Sequence, residues 1–155
     1  MIAQVDEALC RLLRPRLPAG TQIRLDPPKP TWQTESQVRS VELFLFALHD
    51  AVGEGNEGEG KRAARRCALS YLVTARAGQV REEHDLLDAA LQAVLASEQL
   101  PGESASPMRM ALATTDPTAL WTSLGMPVRA GFVLLVTADA VPSGAVGAAR
   151  SHRKS

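Results

Sequence analysis

The side chains able to do chemistry in this chain are few, and their spacing does not bring them together. The three histidines, His49, His84 and His152, fall in separate segments. No H-x-H, H-E-x-x-H or C-x-x-C spacing places two ligands on one face of an element, so no metal centre is expected. Cys10 and Cys67 are too few for a disulfide framework. Each falls on an apolar row and reads as a reduced core residue. Ser70 and Ser123 lack the G-x-S-x-G elbow of a serine hydrolase. Asp85 and Asp88 are near neighbours on a helix, but other acids surround them, so they read as a solvated face. No catalytic residue and no cofactor is expected.

One motif imitates a binding site. Gly53, Gly55 and Gly58 fit G-x-G-x-x-G. A phosphate cradle needs a helix N-terminus behind the glycines and no competing negative charge. Here Glu54, Glu57 and Glu59 would face the pyrophosphate, and KRAARR leads on into a strand. The stretch Gly53–Gly60 therefore reads as a hairpin tip, with small-ligand or nucleotide binding as the alternative. The same acids do not match the spacing of an EF-hand loop.

Interface residues are the better candidates. Trp32 and Trp121 are the only tryptophans in an aromatic-poor chain. Each can anchor a partner, as tryptophan does at binding hot spots, or plug the core. The stretch after Ala138 is small, polar and finally basic, and reads as a tail or arm. Val141, Pro142, Arg150 and Arg153 are its candidate contacts, ordered against a partner subunit.

The elements that carry these residues follow from periodicity. Ile2, Val5, Leu9, Leu12 and Leu13 recur at helical steps, and Pro15 and Pro18 end the pattern. Thr21–Leu25 is a short strand, and three prolines then break regular structure through DPPKPTW. Val38–Leu48 is a strand with apolar residues on both faces. Val41, Leu43, Leu45 and Ala47 form one row, and Phe44, Phe46 and Leu48 the other. Arg65–Ala75 is its hairpin partner. After Gly78, the residues Leu86, Leu87, Ala90, Leu91, Val94 and Leu95 make a double-width helical stripe. Pro101–Pro107 is a linker, and Met108, Met110 and Leu112 alternate as a strand. Asp116–Pro117 starts a short helix that Gly125 stops. Val128–Ala138 is the fifth strand.

The order α-β-β-β-α-β-α-β predicts an α+β fold. Its sheet is mostly antiparallel or mixed, with about five strands, two larger helices on one face and one short helix. Residues 1–138 form one domain and 139–155 the tail. The 155 residues suit one domain with a real core. Seventeen bases balance seventeen acids, which argues against a nucleic-acid binder and is compatible with life in an assembly. No apolar run approaches the roughly 20 residues of a membrane span, and the N-terminus lacks a signal-peptide pattern. A cytoplasmic protein without membrane insertion is expected.

The order and spacing of several pieces carry a resemblance. They are MIAQVDEALCRLL with LPAG, DPPKPTW, VELFLFALHD, ALSYLVTARAG, EEHDLLDAALQAVL, LWTSLG and FVLLVTADAVP. Together, over about Met1–Pro142, the chain resembles the tail-terminator or cap proteins of phage-tail-like contractile injection systems. The resemblance implies a non-enzymatic structural role. Such a protein forms a ring, commonly a hexamer, on the end of the inner tube and sheath and ends their polymerisation. The partners implied are further copies of the chain and the sheath and inner-tube proteins. The glycine-acid hairpin and the short tail depart from the pattern of longer relatives.

Overall fold

The computed structural model describes residues 1–33, 38–51, 65–97, 99–101 and 107–140. Helix α1 spans Ile2–Leu13 and continues into a 3-10 turn at Arg14–Arg16, where Pro15 stops α-helical bonding. Strands β1 (Gln22–Arg24), β2 (Ser40–Asp50) and β3 (Arg66–Arg76) follow, with a 3-10 turn at Pro30–Gln33 between the first two. Helix α2 (Val80–Leu95), strands β4 (Gln99–Leu100) and β5 (Met108–Leu112), helix α3 (Thr118–Leu124) and strand β6 (Phe132–Asp139) complete the order.

One sheet runs β1-β2-β3-β6-β5-β4. β1 lies parallel to β2, and the other neighbours are antiparallel. The expected mixed, mainly antiparallel sheet is thus present, with six strands in place of five. The sixth, Gln99–Leu100, is two residues long and shows no periodicity to read. β3 and β6 are the central strands, and β2 lies nearer an edge.

α1 and α2 both pack on one face. Val5, Leu9 and Leu13 of α1 and Leu86, Ala90 and Ala93 of α2 meet Leu43, Leu69, Val73, Leu134 and Val136 in the main core. Tyr71 is fully buried there, and its hydroxyl donates to Asp6 Oδ1 at 2.6 Å, tying the sheet to α1. The α2 stripe is narrower than the sequence suggests. Ala93 is buried and Leu95 is 57% exposed, because i, i+4, i+7 and i+8 from Leu86 define the inward face. The second face carries a smaller core of Trp32, Leu72, Trp121, Met126 and Val133, flanked by Phe44 and Phe46.

The rows of β2 hold only to its middle. A bulge between Leu45 and Ala47 adds one residue, which exchanges the faces beyond it. Ala47 then stands opposite Ser70, and Leu48 stands opposite Leu69 on the helix face. This corrects the simple alternation, which put Ala47 with Leu43 and Leu48 with Phe44. β6 also starts later than expected, at Phe132. Val128 before it is 61% exposed. Among the described residues, no helix is long and apolar enough to cross a membrane.

Candidate assembly surface

α3 is built to place one side chain. Asp116 Oδ1 accepts from the Thr118 amide at 3.0 Å and from the Thr118 hydroxyl at 2.7 Å. These bonds hold the Asp116 carboxyl below the usual aspartate range, the hydroxyl bond contributing most. The helix itself starts at Thr118, with Pro117 at the cap position, so the Asp116 side chain caps from one residue further out than expected. Gly125 closes the helix in the left-handed region at φ 70°. Between these stops, Trp121 is fully buried. Trp32 is buried as well, and the Arg76 guanidinium lies 4.5 Å from its ring centroid. Both tryptophans therefore fill the second-face layer of their own chain.

Beneath that layer lies a polar centre that the sequence reading missed. Ser40, Glu42, Thr74 and Arg76 are all buried. Ser40 pairs with Arg76 and Glu42 with Thr74 across the β2–β3 ladder, so all four share the second face. Ser40 Oγ donates to Glu42 Oε2 at 2.5 Å, and Arg76 Nη1 stands 3.8 Å from the same oxygen. Burial pushes the Glu42 carboxyl up, against the Ser40 hydrogen bond and the charges of Arg76, Arg24 and Arg129. The signal was present in the sequence as one acid inside the apolar run SVELFLFAL. Parity with Phe44 would have turned it inward.

Among the described residues, the outer edge of β2 is the longest unpaired stretch of strand edge. β1 covers only Ser40–Glu42. From Leu43 to Asp50, no described strand pairs with that edge. It carries Leu48, 49% exposed, and no charge before the chain end of the strand. An uncovered apolar strand edge invites another chain, and the bulge at its middle is the usual restraint on unwanted pairing.

The far end of the same hairpin gathers chain exits. Arg66 donates to Asp139 Oδ1 at 2.7 Å, to the Pro107 carbonyl at 3.0 Å and to the Thr137 carbonyl at 3.3 Å. The Ala51 amide donates to the Arg66 carbonyl, and the Ala140 amide to the Arg65 carbonyl. Ala51, Arg65, Pro107 and Ala140 thus meet around Arg66 at this end. The candidate contacts Val141, Pro142, Arg150 and Arg153, and the glycines of the Gly53–Gly60 motif, lie outside the described residues.

The residues weighed for chemistry are dispersed. His49 and His84 are exposed, Cys10 and Cys67 are half-buried, and Asp85 and Asp88 are exposed. Desolvation raises the Cys10 thiol above its ordinary value, which disfavours the thiolate. Among the described residues, no group of three or more His, Cys, Asp or Glu could hold a metal ion. A groove of about 420 Å³ lies between Arg16–Pro18 and the first turns of α2. Its rim combines Arg16 and Arg39 with Glu82 and Asp85, so it presents no net charge to an anionic ligand.

Solved structures share this architecture, two of them from contractile injection particles. One is the sheath/tube terminator of the extracellular contractile injection system PVC in its extended state, with TM-score 0.68 and 22% identity. The match covers 88% of this chain and 55% of that one. The other is the tube-terminating cap of the anti-feeding prophage, with TM-score 0.64 and 18% identity over 90% of this chain and 56% of that one. The chain thus spans little more than half the length of either, and at these identities the likeness is one of fold. No curated protein matches the chain. Residues 4–151, nearly the whole sequence, match the Pvc16 N-terminal domain. The chain belongs to the Pvc16 N-terminal domain family.

Proposed function

We propose that this chain is a non-enzymatic terminator of a contractile injection particle. Copies of it form a ring, six by the family resemblance, on the end of the inner tube and sheath, and the ring ends their growth. The observation that carries the reading is the likeness of fold to a sheath/tube terminator and a tube-terminating cap across most of the chain. The physical features suit it. A ring of identical subunits needs two different surfaces that meet head to tail, and closure hides them all. The uncovered β2 edge from Leu43 to Asp50 is one such surface. The residues that follow β6 form an arm whose Val141, Pro142, Arg150 and Arg153 reach a neighbouring subunit or a sheath protein. The tryptophans stiffen the layer behind the edge and do not contact the partner. The particle is assembled in the cytoplasm.

The alternative, a small-ligand domain built on Gly53–Gly60, has less support, since the proteins sharing the fold are structural caps. Electron microscopy of particles from cells with and without the gene tests the proposal. Tubes of uncontrolled length, or no particles, are expected without it. Particles of normal length and capped appearance reject it, as does a purified protein that stays monomeric and is absent from particles.

A further inference from the structure

The groove beside α2 and the G-x-G-x-x-G stretch have no part in the terminator reading so far, and they belong to opposite ends of the sheet. The groove lies where β2 starts and β3 ends. Arg16 and Arg39 come to it from the turn after α1 and from the residue before β2. Glu82 and Asp85 come from the first turns of α2, and Leu17 and Leu86 supply apolar surface. The four charged side chains are exposed. Among the described residues, none of the four has an ion-pair partner. Val38, Val80 and Val128 are exposed at the same end. Val38 precedes Arg39, Val80 opens α2, and Val128 adjoins Arg129, whose guanidinium reaches Glu83 at 3.1 Å. Apolar side chains left in water beside a groove favour a contact that covers them.

The sequence between β2 and β3 answers this charge pattern. In GEGNEGEGKR, residues 53–62, Glu54, Glu57 and Glu59 come first, and Lys61 and Arg62 follow. The acids match Arg16 and Arg39, and the basic pair matches Glu82 and Asp85. The interleaved glycines carry no side chain to keep the backbone out of a groove. This stretch cannot reach the groove of its own chain. β2 is 11 residues long, which is about 36 Å at roughly 3.3 Å per residue. The chain that joins Asp50 to Arg66 must go out and return, so even fully extended it reaches only about 25 Å.

We propose, resting on the terminator reading, that residues 53–62 of one copy seat in the α2 groove of the next copy in the ring. The contact is heterologous, with the segment at one end of the sheet and the groove at the other. Each copy then gives one contact and receives one, as a closed ring requires. The order of charges sets the direction of insertion, because the reverse order would set Lys61 and Arg62 against Arg16 and Arg39.

Exchanging the charge order at fixed net charge tests this. E57K/E59K/K61E/R62E reverses the segment, and R16E/R39E/E82K/D85K reverses the groove. Sedimentation measures association at pH 7, with far-UV circular dichroism as the check on folding. The wild type should form oligomers, and each variant alone should sediment as a monomer. Mixed in equal amounts, the two variants should assemble, because each segment then meets a groove of matching order. Wild-type association should weaken as salt rises from about 0.1 M to about 1 M. Variants that assemble alone as the wild type does overturn the proposal, as do variants that stay monomeric when mixed. A wild-type oligomer indifferent to salt overturns it whether or not the variants fold, and so does a wild type that stays monomeric. The terminator reading falls separately, by particles of normal length in cells without the gene.

Discussion

Replacing Tyr71 with phenylalanine isolates the bond that ties the sheet to α1. The ring stays, so the packing around a fully buried side chain is nearly unchanged. What is lost is the hydroxyl's 2.6 Å donation to Asp6 Oδ1. A hydrogen bond to a charged acceptor contributes about 1.5–3 kcal/mol net. Asp6 is only half-buried, so water can replace the missing donor and the lower half of that range applies. A loss of about 1.5–2 kcal/mol is expected, and at about 2–4 °C per kcal/mol for a chain of this size the Tm falls by roughly 3–8 °C. Thermal and urea unfolding at pH 7 measure it, and an unchanged m value keeps the comparison in the folded state. A cycle with D6N then separates the pair from its surroundings. The two single losses should overlap by about 1 kcal/mol in the double variant. If Y71F unfolds within about 0.5 kcal/mol of the wild type, or the double variant is simply additive, the bond does not dock α1 and the reasoning fails.

Two further tests probe the second face. A Cβ at Gly131 would stand 2.8 Å from the Val73 carbonyl oxygen and 3.0 Å from Thr74 Cγ2. That backbone oxygen cannot move aside cheaply, so G131A should cost about 1–3 kcal/mol by overpacking, readable as a lower urea midpoint. Asp116 has a lowered folded pKa, so its contribution is present above the ordinary carboxylate range and is lost as pH falls through the folded value. D116A should therefore melt below the wild type at pH 7, and the gap between the two melting curves should close in acid. A gap that stays constant down to the acid limit contradicts the capping role.

Local patterning determined much of this protein. Helical steps in α1 and α2, the long β2–β3 hairpin, the Asp116 and Gly125 stops of α3 and the α+β class are all written in neighbours a few residues apart. The order of those pieces also carried the family resemblance. Four things were decided only in the folded chain. The two-residue β4 exists because β5 offers it a ladder, and so short a segment has no period of its own. The bulge after Leu45 exchanges the faces of Ala47 and Leu48 because β3 sets the register there, not the composition of β2. The two tryptophans could anchor a partner or fill a core, and sequence held both open. In the folded chain both are buried. α3 and the turn at Pro30–Gln33 fold over the second face, so the rings meet Leu72, Met126 and Val133 from elements far apart in the chain. The same long-range ladder places Glu42 opposite Thr74 and near Arg76, a pairing that no local spacing encodes.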